Sequence, residues 1–205
     1  MRSMPACCPF RRRAGPGEKT EMCGITGIFS NNPQDVASEI EVMTQALSHR
    51  GPDGQGIWVD PEGRLALGHT RLAILDLSPT GTQPMVCASG RFAMTYNGEL
   101  YNCAELRRDL PGHVWRGTSD TEVFLEHAAR FGLITTLNKA NGMFALALWD
   151  REERTLCLAR DRFGIKPLIW SWRPGLFLFG SEMRAIESHP RFQPSLEPAA
   201  LDACL

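Results

Sequence analysis

The dipeptide Met22-Cys23 sets a thiol directly behind a methionine, and a side chain as small as that of Cys23 is one whose methionine is normally trimmed. Removal would leave nucleophile and base on one residue. Thiolate is the attacking form, and a free cysteine has a pKa of about 8.5. An α-amine titrates at roughly 7.7–8.0 and is substantially neutral near about pH 7. It can therefore take the thiol proton, the adjacent-base activation that N-terminal threonine uses. The dipeptide alone proves no catalysis, and motifs further along the chain must decide.

As written, Cys23 is preceded by 22 residues. An acylated nitrogen has no basic lone pair, so the thiol would lose its base. Three expectations follow: translation starts at Met22, or a propeptide is removed between Met22 and Cys23, or the chain is inactive. The first is favoured. Residues 1–22 carry Arg11-Arg12-Arg13, Gly15-Pro16-Gly17 and Cys7-Cys8 but no apolar core of a signal peptide, and read as a disordered extension or a mis-assigned start.

Bulk properties narrow the class. The chain has 205 residues, 43% apolar and 22% charged, enough for one domain with its own core. A net charge of −1 offers no footprint for nucleic acid or an anionic membrane. No apolar run approaches the ~18 residues of a membrane span. The seven cysteines are odd in number and lack CxxC spacing, which argues against a disulfide framework and a zinc site. A reducing cytoplasm fits that usage. The five histidines form no HExxH and no close helical pair, and read as solvated or packed.

The elements that must position Cys23 follow from periodicity. Ile25 to Phe29 reads as a short strand. Val36, Ile40, Met43 and Leu47 mark an amphipathic helix, with Asn32 and Pro33 as its cap and first position. His49 to Gly56 is a Gly/Pro-rich loop, and Ile57-Trp58-Val59 with Arg64 to His69 form a hairpin around Asp60 to Gly63. A strand from Arg91 to Tyr96 is expected to end in a turn at Asn97-Gly98-Glu99, followed by a short helix over Cys103 to Leu110. Ser119 and Glu122 have capping-box spacing ahead of a helix carrying Val123, Phe124, His127, Ala128 and Phe131. Met143 to Trp149 is apolar at both parities, the mark of a strand covered on both faces. Three short strands (Thr155 to Ala159, Leu168 to Trp172, Leu176 to Phe179) and a helix from Glu182 to Ser188 close the domain. Strands buried on both faces with amphipathic helices beside them imply two stacked sheets with helices outside. His189 to Leu205 reads as the start of a linker.

Seven blocks, in this order, carry a resemblance: Met22-Cys23-Gly24-Ile25-Thr26-Gly27, His49-Arg50-Gly51-Pro52-Asp53, Gly68 to Ile74, Tyr96 to Asn102, Ser119-Asp120, Gly142-Met143-Phe144-Ala145, and Arg160 to Leu168. Together they resemble the glutamine-hydrolysing domain of asparagine synthetase, a class II glutamine amidotransferase of the N-terminal-nucleophile hydrolases. The resemblance covers about residues 22–187 and implies an α+β, four-layer αββα sandwich of mainly antiparallel sheets, with the domain at 23–188 and a linker from 189–205. It implies hydrolysis of L-glutamine to glutamate and ammonia through a Cys23 thioester, with Asn97 and the Gly98 N–H as oxyanion hole. It also implies Arg71 on the substrate carboxylate, Asp120 and Glu99 on the ammonium, and main-chain contacts from Ile74 and Leu75. Arg50 to Asp53 and Arg160-Asp161 read as loop-ordering ion pairs, and Lys166 as a support.

The resemblance implies no cofactor in this domain; ATP and Mg belong to a synthetase domain, of which no GxxxxGK[ST] or SGGxDS-like run is present here. Ammonia would pass to that domain. Two alternatives stay open, an acceptor other than aspartate and a non-catalytic glutamine-binding module if Cys23 is not freed. Oligomeric state, a homodimer included, is open as well.

Overall fold

A computed structural model describes residues 22–32, 35–72 and 81–194. Among the described residues, nine strands form two antiparallel sheets. The first sheet has the order β2-β3-β1-β9-β8, built from β1 (Gly24–Ser30), β2 (Gly54–Val59), β3 (Leu65–Arg71), β8 (Ile169–Arg173) and β9 (Leu176–Gly180). The second has the order β4-β5-β6-β7, built from β4 (Met85–Val86), β5 (Phe92–Leu100), β6 (Gly142–Asp150) and β7 (Thr155–Arg160). Five helices among the described residues accompany them: α1 (Val36–Gln45), α2 (Cys103–Arg108), α3 (Asp120–Phe131), α4 (Leu133–Lys139) and α5 (Met183–Glu187).

Side-chain alternation along the strands explains the layers. On β6, Ala147 and Trp149 join Leu65, Leu67, Ala93 and Phe179 in a core between the sheets. The intervening Phe144, Leu146 and Leu148 pack with Leu106, Val123, Phe124 and Leu125 from α2 and α3. That is why β6 is apolar at both parities. On the far side, Ile28, Ala66 and Leu178 pack against Val36, Ile40 and Met43 of α1 and Ile186 of α5. The order is therefore helices, sheet, sheet, helices, the expected αββα sandwich. Trp149 ties the sheets together by donating its indole N–H to Asp60 Oδ1 at 3.1 Å.

Four local expectations are corrected. Asn97-Gly98-Glu99 is no turn; β5 runs through it, with Gly98 opposite Phe144 and Glu99 opposite Met143. A Cβ on Gly98 would come within 2.5 Å of Met143 O, so this glycine serves close strand packing, and nine paired positions with β6 outweigh its turn propensity. Helix α1 is capped by Asp35, without a side-chain bond, and not by Asn32; Pro33 lies outside the described residues. Ser119 caps α3 by accepting from Thr121 N, but Glu122 does not complete a capping box. Its carboxylate accepts instead from Arg116 N at 2.8 Å and Gly117 N at 2.9 Å, ordering the preceding loop. Phe131, grouped with Val123 and Phe124 on this helix, is exposed at its last turn, and α4 was not expected at all.

Residues 189–194, read as the start of a linker, pack onto α1. Arg191 bonds Glu39 through Nε at 2.8 Å and Nη2 at 2.7 Å, His189 is buried beside the same carboxylate, and Phe192 packs against the α1 core. The remainder of that segment, and residues 1–21, lie outside the described residues.

Candidate active site

The start of β1 is held by side chains reaching its main chain. Gly24 N donates to Thr70 Oγ1 at 3.1 Å and Ile25 N to Ser181 Oγ at 3.0 Å. Cys23 O accepts from Arg50 Nε at 3.2 Å, and the same guanidinium pairs with Glu182 at 2.7 Å. The Cys23 Sγ accepts the Leu72 N–H at 3.3 Å. Burial pushes the thiol pKa up, against the lowering effects of the Leu72 bond and of the nearby Lys166 and Arg71 charges. A half-buried thiol with a raised pKa needs a base to become a nucleophile.

The sheet geometry brings the other candidates to this end of the sandwich. Gly24 pairs with Thr70, so β1 begins where β3 ends, at Arg71. Arg71 shares strand parity with Leu65, Leu67 and His69, the face turned toward the second sheet. On β5, Thr95 Oγ1 donates to Gly68 O at 3.2 Å across the gap, and Asn97 and Glu99 continue the Thr95 face toward the end where β3 finishes. Asp120, the first residue of α3, is fastened to the end of β5 by accepting Leu100 N–H at 2.8 Å. Cys23, Arg71, Asn97, Gly98, Glu99 and Asp120 are thus gathered at one end of the two sheets. Ile74 and Leu75 lie outside the described residues.

The electrostatics are uneven. Asn97 is 2% exposed and its Nδ2 has no hydrogen-bond partner among the described residues. Such an orphaned donor is rare in a folded interior. Strand alternation sends the N–H groups of Tyr96, Gly98 and Leu100 to the same edge of β5, away from β6. Tyr96 N is taken by Gln83 Oε1 at 2.6 Å and Leu100 N by Asp120 Oδ2, and Gly98 N lies between them. Burial raises the Asp120 pKa despite main-chain bonds from Leu100 and Thr121, and Glu99 adds to the rise. A cation would relieve both carboxylates.

His69 is packed, one of the two settings expected for the histidines. It is buried between the sheets, burial takes its pKa down to about 3, and its Nε2 has no partner among the described residues. The expected ion pairs resolve differently. Arg50 does pair, with Glu182, whereas Arg160 donates to the main-chain oxygens of Lys166 and Gly164. Asp161 accepts main-chain N–H groups from Phe144, Phe163, Ile165 and Lys166. Short loops with many orphan amides favour such bonds over side-chain pairs. The described cysteines, Cys23, Cys87, Cys103 and Cys157, are all free.

Residues 22–205 match the family model of the glutamine amidotransferase domain. The chain belongs to this family. The amidotransferase domain is 40% identical over 186 residues to asparagine synthetase [glutamine-hydrolyzing] 3 of Bacillus subtilis (strain 168), covering 88% of this chain and 30% of that protein. It is 32% identical over 176 residues to amidase chry2 of Gibberella zeae, covering 80% of this chain and 26% of that one. The domain thus spans about a third or less of the length of these curated relatives. Among solved structures, that of the allosteric regulatory enzyme of purine biosynthesis superposes with a TM-score of 0.71 at 23% identity, over 81% of this chain and 43% of that one. This likeness concerns the fold. Among the described residues, no helix of the amidotransferase domain is long and apolar enough to cross a membrane.

Proposed function

We propose that the domain hydrolyses L-glutamine to glutamate and ammonia, with Cys23 as an N-terminal nucleophile. The observation that carries the reading is the buried Asn97 amide, whose Nδ2 has no partner among the described residues, on the β5 face turned toward the sheet that Cys23 begins. An unsatisfied buried donor is costly in the free protein and is repaid by an anionic oxygen.

The α-amine of Cys23 accepts the thiol proton as Sγ attacks the side-chain amide carbon of glutamine. The carbonyl oxygen becomes an oxyanion between Asn97 Nδ2 and the Gly98 N–H, and one such donor is worth about 2.7–4 kcal/mol of barrier. The α-ammonium then protonates the amide nitrogen, the C–N bond breaks, and ammonia leaves a thioester on Cys23. Water, deprotonated by the same amine, attacks the thioester and releases glutamate and the thiol. Arg71 binds the substrate α-carboxylate, where its planar fork allows two parallel bonds. Glu99 and Asp120 bind the α-ammonium, with Ile74 and Leu75 adding main-chain contacts.

The half-reaction as written needs no cofactor. In the full-length protein the ammonia goes to a synthetase domain that uses ATP and Mg to make asparagine from aspartate, a reading supported by several relatives named as glutamine-hydrolysing asparagine synthetases. The amidase relative favours a second reading in which a different acceptor takes the ammonia. The domain comprises residues 23–188, and its free cysteines suit a cytoplasmic setting.

The test uses protein whose intact mass places Cys23 at the N-terminus. It should release ammonia from glutamine, whereas protein retaining residues 1–22 should not. Cys23→Ala should still bind glutamine by calorimetric titration while ammonia release disappears. Turnover of the alanine variant near the wild-type rate would sink the thioester route. Absence of turnover in wild-type protein with a free Cys23 would favour a glutamine-binding module.

A further inference from the structure

The loop between β7 and β8 aims a lysine at the Cys23 end of β1. Lys166 is 5% exposed, and its Nζ lies 2.9 Å from the sulfur of Met22, the residue whose removal frees the Cys23 amine. Its backbone is held from both sides. Lys166 N donates to Asp161 Oδ2 at 3.0 Å, and Lys166 O accepts from Arg160 Nε at 2.6 Å. The other Asp161 oxygen accepts from Phe163 N at 3.1 Å and Ile165 N at 2.9 Å, which closes the loop around the carboxylate. Pro167 follows and restricts the Lys166 backbone to extended conformations. Burial of the side chain, 5% exposed, and its contact with Met22 set where the ammonium lies.

We infer that Lys166 is a positioning residue that tunes both halves of the Cys23 nucleophile, holding the α-amine neutral and favouring the thiolate by presenting a buried positive charge to that residue. This rests on the reading of Cys23 as an N-terminal nucleophile. A cation beside an amine disfavours its protonated form, so the amine stays a competent base at lower pH. The same cation favours the ionised thiol. In the proton transfer itself the two effects offset one another, so the gain lies in keeping the amine unprotonated and the thiol ionisable at lower pH. Lys166 and Arg71 each lower the Cys23 pKa, in opposition to burial.

Other charged groups lie at the same end of the sandwich. Arg71 comes from β3, and Arg50, which binds Cys23 O, from the loop after α1, where Glu182 offsets its charge. His69 is neutral in its buried position. Glu99 and Asp120 come from β5 and α3, and bound glutamine would offset them. Asp161 lies behind Lys166, with its charge spread over four main-chain N–H groups. Lys166 approaches from the Met22 side, with Nζ on the Met22 sulfur, and loss of Met22 exposes the Cys23 amine on that same side.

The test compares wild type, Lys166→Met and Lys166→Arg, each with Cys23 verified by mass as N-terminal. One readout is the pH dependence of Cys23 alkylation by iodoacetamide, which requires no turnover. The other is the acid limb of kcat/KM for glutamine hydrolysis. Lys166→Met should move both profiles to higher pH by about one unit or more, the range for a lost charge at close quarters. Lys166→Arg, which keeps the charge, should restore most of the shift. If the methionine variant is insoluble, Lys166→Gln serves the same comparison with a polar head. Profiles unmoved in the uncharged variant, or an arginine variant that behaves like it, would overturn the inference. A shifted alkylation profile in a protein without turnover would instead uphold the Lys166 role while refuting the glutaminase reading.

Discussion

Gly51→Ala should damage glutamine use out of proportion to its single added methyl. A Cβ at this position would lie 2.5 Å from Arg71 N, 2.5 Å from Thr70 C and 2.6 Å from Arg71 C, all main-chain atoms of the strand end that carries the proposed carboxylate clamp. Ordinary contact begins near 3.4 Å, so the loop and β3 must part by about 0.9 Å, the difference between these figures. Overpacking of this kind costs about 1–3 kcal/mol of stability. A misplacement of about 1 Å in a positioning group can cost on the order of 10²-fold in rate. The neighbouring Gly54 is an internal control, because it pairs with Arg71 across β2 and β3 yet a Cβ there meets nothing within 4 Å. Chemical denaturation and steady-state ammonia release, measured on both variants with a mass-verified Cys23 N-terminus, separate the two effects. Gly51→Ala should lose about 10²-fold in kcat/KM, much of it in KM, and Gly54→Ala should stay near wild type. Wild-type kcat/KM in Gly51→Ala, or equal damage in both variants, would refute the argument that this glycine sets the position of Arg71.

Three further outcomes are expected. Asn97→Ala should lower kcat by about 10²–10³-fold with little change in KM, since the amide is used only as the oxyanion forms; an unchanged kcat in stopped ammonia assays would remove Asn97 from the oxyanion hole. Asp161→Asn should cost about 3 kcal/mol in urea denaturation, because an NH₂ group would face two of the four donors that the carboxylate accepts. A melting transition matching wild type would contradict that bookkeeping. For Asp120, whose folded pKa is raised, the folded state holds the proton more tightly, so this group lowers stability as pH rises through its titration above the ordinary carboxylate range. Asp120→Asn should therefore flatten that part of the stability-versus-pH curve while weakening glutamine binding. An Asp120→Asn curve that still falls over the same window, or unaltered affinity by calorimetry, would show the wrong carboxylate had been chosen.

The primary structure alone was enough for the parts of this protein set by periodicity and local chemistry. The spacing of Val36, Ile40 and Met43 located α1, and the double-sided apolar run of β6 required a layer on each face, which is the sandwich. Ordered motifs singled out Cys23, Arg71, Asn97 and Asp120 as candidates because the resemblance rests on short blocks whose residue types can be read directly. Long-range pairing decided the rest. Asn97-Gly98-Glu99 has the composition of a turn, and only its nine-residue register with β6 makes it a strand that aligns the N–H groups of Tyr96, Gly98 and Leu100 on one edge. Glu122 has the spacing of a capping residue, and only the fold of the 116–117 loop directs it elsewhere. The neutral state of His69 and the aim of Lys166 depend on burial and on contacts 144 residues apart in the chain. Desolvation and long-range contact are properties of the packed molecule, and no local run of residues encodes them.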